Sequence, residues 1–104
     1  MSAEFDYQQL DEIIHSRIRL AVMALLAAVD DAEFSYVRDR IQATDGNLGA
    51  HLRTLEDAGY IHAGKSFVDR KPMTRYHLTA LGRRAFAEYV DRINQLLRAG
   101  KRRK

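Results

Sequence analysis

Hydrophobic residues recur at helical spacing through the first third of the chain and predict two helices. Three apolar residues near the start predict a short first helix: Leu10, Ile13 and Ile14. Ser16 is a suitable N-cap for a second helix, whose apolar residues follow an i, i+4, i+7, i+8, i+11 pattern: Ile18, Val22, Leu25, Leu26 and Val29. Because Leu20, Met23 and several alanines make this helix apolar on more than one side, we place it at the centre of the fold.

Two short helices with a tight connection come next. A first face carries Phe34, Val37 and Ile41, with Ser35 as the candidate N-cap. Thr44 is the expected N-cap of the following helix, residues 44–58, and Gly59 is its expected C-cap. One stripe of this helix is apolar: Leu48, Leu52 and Leu55. Two short helices joined by a turn of about three or four residues form a helix-turn-helix arrangement.

Beyond Gly59 the apolar period changes to two and predicts a β-hairpin over residues 60–79. The two runs place these residues on one side: Ile61, Ala63 and Phe67, then Thr74, Tyr76 and Leu78. Proline cannot donate to a central ladder, so we expect the turn at Asp69-Arg70-Lys71-Pro72.

A long last helix is expected over residues 80–98, capped by Thr79. Its apolar residues are spaced 4, 3 and 4 apart: Phe86, Val90, Ile93 and Leu97. This narrow seam is typical of a coiled coil and implies a partner helix. The predicted class is therefore mainly α with a β-hairpin: a winged helix-turn-helix with a long C-terminal dimerisation helix.

Length and charge sharpen this picture. A chain of 104 residues with 46% hydrophobic residues fits one small domain, here residues 1–98, followed by a basic tail, residues 99–104. Residues 1–43 hold 8 acidic and 4 basic side chains, a net charge of −4, while residues 44–104 hold 6 acidic and 13 basic ones, a net charge of +7. The second half is where we expect a polyanion to bind.

Several classes of function are disfavoured. The chain has no cysteine, which excludes disulfides and thiolate chemistry and suits the cytoplasm. Its longest uncharged apolar run, residues 20–29, is half of the roughly 20 residues that a bilayer crossing needs, and the acidic N-terminus is unlike a signal peptide. We therefore expect a soluble, unprocessed protein. No phosphate-binding glycine loop or nucleophile elbow is present, and no two of the four histidines have the i, i+4 spacing of a ligand pair, so we expect neither an enzyme nor a metal or other cofactor.

Four stretches resemble the small winged-helix DNA-binding domains related to the MarR-like and ArsR-like transcriptional regulators. They are IHSRIRLAVMALLAA (14–28), TDGNLGAHLRTLEDAGYI (44–61), KSFVDRKPMTRYHLT (65–79) and LGRRAF (81–86). The resemblance covers most of the chain and implies a homodimeric regulator of double-stranded DNA, most commonly a repressor, on a pseudo-palindromic site.

The resemblance makes residues 44–58 the recognition helix and the hairpin the wing. Expected DNA contacts on the helix are Thr44, Gly46, Asn47, Ala50, His51, Arg53 and Thr54, because Asn can read adenine, His and Arg can donate to guanine or phosphate, and Ala can meet a thymine methyl. Expected contacts on the wing are Lys65, Arg70, Lys71 and Arg75. The expected dimer interface comprises Leu10, Ile14, Phe86, Val90, Ile93 and Leu97.

Four points stay open at this stage. Gly46 and Gly49 either let the helix front approach DNA, or Gly49 lets the preceding helix pack closely. The terminal Lys-Arg-Arg-Lys run either adds nonspecific DNA affinity or is merely solvated. A rival function is a winged helix used for protein contact, with only nonspecific DNA affinity. Another is a regulator with a small-molecule effector held between the first and last helices, near Tyr7, Tyr36 and Tyr89, although such residues are more often core.

Overall fold

The computed structural model describes residues 7–102, with side chains through residue 100. These residues form four α-helices and three strands. Their bounds are α1 Arg17–Ala27, β1 Ala32–Glu33, α2 Phe34–Ile41, α3 Asp45–Asp57, β2 Ile61–Val68, β3 Lys71–Leu78 and α4 Ala80–Arg102. The predicted winged helix-turn-helix with a long last helix is confirmed.

The expected first helix around Leu10 does not form. Residues Tyr7–Gln9 make a single 3-10 turn, and residues 12–14 make another turn. The Asp11 carboxylate accepts hydrogen bonds from the backbone N–H groups of Ile13 and Ile14, at 2.8 and 3.3 Å. This local side-chain bonding competes with a helical ladder, and the apolar spacing alone could not reveal the competition.

α1 lies at the centre of the fold, as predicted. It contacts α2, α3, α4 and β3. The Ser16 hydroxyl accepts a hydrogen bond from the Arg19 N–H at 3.4 Å and caps the helix. Three of its side chains are fully buried: Val22, Met23 and Leu26. Ile14, from the preceding turn, is also fully buried in this core.

α2 begins two residues earlier than expected. Glu33 is its N-cap, so the prediction for Ser35 is wrong; the Ser35 hydroxyl instead donates to the Glu33 carboxylate at 2.5 Å. Gln42, in the left-handed region at φ 60°, ends α2. Thr44 then caps α3 by accepting the Asn47 N–H at 3.2 Å, as predicted.

The end of α3 is tied off at Gly59, as predicted. Gly59 has φ +83°, and its N–H donates to the Glu56 carbonyl while the Tyr60 N–H donates to the Leu55 carbonyl. These two bonds form a Schellman motif, which favours glycine at the left-handed position. Leu48, Leu52 and Leu55 form the predicted buried stripe of this helix.

The strands form an antiparallel sheet in the order β1-β3-β2, so the hairpin gains a short third strand that the sequence pattern did not indicate. The hairpin turn is also shorter than expected. Val68 pairs with Lys71, and the two turn residues, Asp69 and Arg70, have φ values of 52° and 65°, as in a type I′ turn.

Pro72 therefore lies inside β3, opposite Phe67, rather than in the turn. The pair beside a two-residue turn exchanges hydrogen bonds, and the next pair does not. The Pro72 nitrogen consequently faces away from β2, where no donor is needed, and β1 reaches only Arg75 and Tyr76. Phe67, expected on the core side, lies beyond the core cluster and is 76% exposed.

α4 begins at the Thr79 cap, as predicted: the Thr79 hydroxyl accepts the Gly82 N–H at 2.9 Å and donates to the Gly59 carbonyl at 2.6 Å. The helix is 23 residues long, which corresponds to about 34 Å. It packs on α1 and β3, and Tyr89 is its most deeply buried large side chain. The sequence pattern did not single out Tyr89 as a core residue.

Candidate nucleic-acid interface

The exposed surface of α3 is narrower than the sequence pattern suggested. The side of α3 opposite the three buried leucines carries Gly46, Ala50 and Arg53, and Asn47 is exposed beside them. Thr54 is half-buried, and its hydroxyl donates to the Ala50 carbonyl at 3.2 Å. We call this exposed set the recognition face: Gly46, Asn47, Ala50, Arg53 and Asp57.

His51 does not belong to that face. Its side chain is half-buried, and its Nδ1 lies 2.9 Å from a guanidinium nitrogen of Arg19 on α1. The Arg19 Nε also donates to the Ile13 carbonyl at 2.5 Å. His51 is thus turned toward α1, because its position on the helical wheel is closer to the leucine stripe than to the solvent side.

The front of α3 is open. A Cβ atom added at Gly46 or at Gly49 would meet no atom within 4 Å. The interpretation that Gly49 lets α2 pack closely is therefore wrong for this chain. Helical glycine costs roughly 0.5–1 kcal/mol relative to alanine, and no packing within the chain offsets that cost.

The acidic residue at this front is paired. A guanidinium nitrogen of Arg38 on α2 lies 3.1 Å from the Asp45 carboxylate, and its Nε lies 3.2 Å from Asp39. Hydrogen bonds to Asp45 and Asp39 raise the pKa of the Arg38 guanidinium. The pairing places a cation beside the helix front and offsets the negative charge of Asp45.

Arg40 is another α2 cation that sequence reasoning missed. Its guanidinium carbon lies 5.0 Å from the centroid of the exposed Tyr36 ring. Both Arg38 and Arg40 lie in the last turn of α2, beside the connection to α3. The signal was present in the sequence as two arginines on the helix preceding the recognition helix.

The wing carries exposed cations at its tip. Lys65, Arg70 and Lys71 are exposed, and Asp69 is the acidic residue among them. Arg75, which we expected to join them, lies in the middle of β3 opposite Gly64. Its Nε and Nη2 lie 2.7 and 2.5 Å from Asp31. The cations at the turn itself are therefore Arg70 and Lys71, with Lys65 further along β2.

The seam of α4 is only partly free. Phe86 and Ile93 are half-buried against the core of the same chain, whereas Val90 and Leu97 are 41% and 60% exposed. Leu10 also packs against the core, and the fully buried Ile14 has no surface left for a partner. Exposed apolar surface on this seam is therefore concentrated at Val90 and Leu97.

Hydrogen bonds join the N-terminal segment, residues 9–15, to Tyr60 after α3 and to the helix α4. The Tyr60 hydroxyl donates to Asp11 at 2.5 Å, the His15 Nδ1 lies 2.7 Å from the Tyr89 hydroxyl, and Arg92 donates to Gln9. Burial, followed by the hydrogen bond to Asp11, raises the pKa of Tyr60 to about 12. Burial likewise raises the pKa of Tyr89. Segment 9–15 thus joins the end of α3 to α4.

The histidines considered as metal ligands and the tyrosines considered for an effector site are the remaining candidates. His62 and His77 face each other across the hairpin as expected, with ring centroids 5.2 Å apart. Within the described part of the chain, no three metal-ligating side chains come together. Tyr7 lines one cavity, Tyr36 lines another, and Tyr89 is buried. Among residues 7–102, no helix is long and apolar enough to cross a bilayer.

Most side chains of the expected basic tail, residues 99–104, lie outside the described residues. Backbone helix continues to Arg102, while the side chains of residues 101–104 lie outside the described residues.

Comparison with known proteins adds independent information. A family model described as a winged helix DNA-binding domain matches residues 18–97. An uncharacterized protein of Methanocaldococcus jannaschii is 36% identical over 85 residues, which cover 82% of this chain and 92% of that protein.

Solved structures give the same result. A transcriptional regulator homologue from Pyrococcus horikoshii OT3 matches with a TM-score of 0.79 and 28% identity, over 84% of this chain and 86% of that one. The fold is also shared with NadR in complex with 4-hydroxyphenylacetate, at a TM-score of 0.68 and 21% identity, over 84% and 64% of the two chains. These matches confirm the expected resemblance to small winged-helix DNA-binding domains related to transcriptional regulators.

Proposed function

The chain belongs to the winged helix DNA-binding domain family, and from that premise we propose that it is a cytoplasmic, sequence-specific regulator of transcription. It acts as a homodimer on a pseudo-palindromic site and represses by covering a promoter. The observation that carries the proposal is the open front of α3, where two glycines face empty space.

The recognition face suits a major groove. Without Cβ atoms at Gly46 and Gly49, the front of α3 can approach base edges or a phosphate with its backbone. Asn47 lies beside this front, and its side-chain amide can donate to adenine N7 and accept from adenine N6, while Ala50 can contact a thymine methyl. Arg53 completes the face with a donor for guanine or phosphate.

The wing extends the contact to the flanking backbone. Lys65, Arg70 and Lys71 are exposed and close to a tight type I′ turn, which holds them in a defined direction. Each such cation that neutralises a phosphate contributes about 0.9 to the salt slope of binding. Arg75, held by Asp31, is left out of the proposed contacts.

The exposed residues of α4 support the proposed homodimer. Val90 and Leu97 lie on the same face of a helix that is longer than its packing on α1 and β3 requires. A second copy of α4 would cover them and place two recognition helices on one side of the duplex.

Selection from a random duplex library at about 150 mM salt tests this function. We expect an enriched inverted repeat with half-sites about one helical turn apart. Asn47→Ala should relax preference at one base pair, at a cost of roughly 1–3 kcal/mol. Arg70→Ala should weaken binding to all sequences and lower the salt slope by about 0.9, while Arg84→Ala on α4 removes the same charge and should change the slope less.

Sedimentation tests the assembly. Leu97→Asp should convert dimers to monomers, whereas Gln95→Glu adds the same charge on another side of α4 and should leave the dimer intact. Equal, weak affinity for a selected and a scrambled duplex would reject the proposal. That result would favour the rival function, a winged helix used for protein contact.

A further inference from the structure

Phe67 is an apolar side chain that folding does not use. It is 76% exposed, more than any other large hydrophobic residue that the structure describes, and it lies outside the core cluster. It occupies the last but one position of β2, next to the wing turn. The ring is therefore free to contact a ligand, and its neighbours on the hairpin determine which ligand chemistry would suit it.

The backbone around Phe67 is stiff. Phe67 pairs directly with Pro72, whose ring fixes its own φ angle, and both residues lie one pair away from the type I′ turn. Side chains two residues apart on a strand share a face, so Phe67 and Lys65 point to the same side of the hairpin. Val68, 44% exposed, points to the opposite side.

The charged residues near Phe67 indicate which class of ligand the ring would contact. Lys65 shares the face of Phe67, Arg70 lies in the adjoining turn, and Lys71 pairs with Val68 on the opposite face. Asp69 is the one acidic residue in residues 65–71. An apolar ring on a cationic hairpin matches a polyanion with an apolar interior. Double-stranded DNA has that chemistry, with phosphates along the edges of the minor groove and stacked bases at its floor.

We propose that Phe67 is a wedge that enters the minor groove beside the recognition site, partly unstacks one base step and bends the duplex. This inference rests on the proposed function and adds a specificity determinant to it. Flexible pyrimidine–purine steps cost less to unstack than stiff A-tracts, so the wing would read deformability at a position that the recognition helix does not touch.

The test uses the full chain and a duplex of about 40 base pairs carrying the selected site, with a donor and an acceptor dye at its two ends. Wild-type protein should bend this duplex, and Phe67→Ala should reduce the bend by at least about 20°. Phe67→Leu should keep most of the bend, because leucine also serves as a wedge. Val68→Ala is the matched control and should behave as wild type.

Two further readouts separate a wedge from a charge effect. A TA step under the wing should bind about tenfold more tightly than an A-tract, and Phe67→Ala should remove this preference. The salt slope should not change in Phe67→Ala, whereas Arg70→Ala lowers it. Thermal melting should show that Phe67→Ala is folded, since the ring is 76% exposed and lies outside the core cluster.

The possible failures are distinguishable. Binding by all variants with the same bend and the same step preference would overturn the wedge and leave the proposed function standing. A loss of self-association in Phe67→Ala without any change in bending would assign the ring to a protein contact and also overturn the wedge. Absence of sequence-specific binding by wild-type protein would reject the proposed function, and the wedge with it.

Discussion

The two ends of the recognition helix use glycine for opposite physical reasons. At the back end, Gly59 adopts φ +83°, and a Cβ atom on Gly82 would lie 2.0 Å from the Tyr60 carbonyl oxygen. At the front end, Cβ atoms on Gly46 and Gly49 would enter open space. Folding therefore requires glycine behind the helix and merely tolerates it in front. A glycine that weakens a helix, and that neither packing nor backbone conformation requires, is a candidate functional residue.

The largest expected effect is at the back end. Gly82→Ala should destabilise the fold by about 3 kcal/mol or more, because its Cβ would overlap backbone atoms of Tyr60, which cannot rotate away. For a domain of this size the melting temperature should fall by roughly 12 °C or more. Gly64→Ala is the control, since its Cβ would make an ordinary contact at 3.9 Å. Equal melting temperatures for the two variants would contradict the contrast between the ends.

Tyr60 offers a smaller, pH-dependent test of the same end. Its pKa is about 12 in the folded chain and 10.0 as the reference for the unfolded chain. The neutral phenol is therefore favoured by folding; this stabilisation is complete below pH 10 and is lost as the pH rises toward 12. After allowance for solvent screening, we expect a loss of about 1–2 kcal/mol.

Urea unfolding at pH 9 and pH 11.5 measures that loss. Tyr60→Phe cannot ionise, so its stability should decline less over this interval than that of wild type. Tyr7→Phe, which changes a tyrosine that is 66% exposed, serves as the control and should decline as wild type does. If the stability of Tyr60→Phe falls as steeply with pH as that of wild type, the hydrogen bond to Asp11 does not stabilise the packing of the N-terminal segment on the end of α3.

The smallest expected effect on stability has the opposite sign. Gly46→Ala and Gly49→Ala should each stabilise the fold by roughly 0.5–1 kcal/mol, because alanine restricts the unfolded chain and clashes with nothing in the folded one. Each should also weaken binding to the selected duplex. Paired melting and DNA titration measure both quantities. A gain in stability with unchanged DNA affinity would show that the open front is not part of the interface.

Local patterns predicted the helices and caps well because the signals involve residues close in sequence. The leucine stripe of α3, the caps at Ser16, Thr44 and Thr79, and the Gly59 terminus all depend on neighbours within about one turn. Predictions failed where a local side-chain hydrogen bond replaced the expected one, as at Asp11 and Ser35. The hairpin prediction also failed, because the turn has only two residues and Pro72 lies in a strand.

The sequence alone determined the order of the four α-helices and the hairpin, the apolar stripes, the basic second half and the resemblance to winged-helix regulators, because these depend on composition and on spacing within an element. Only the tertiary structure decided which polar side chains remain free. It turned His51 toward Arg19, tied Arg75 to Asp31 and buried Ile14, while it left Phe67 exposed and the front of α3 open. These outcomes depend on residues up to 44 positions apart that meet only after folding, and helical or strand periodicity carries no information about such pairs.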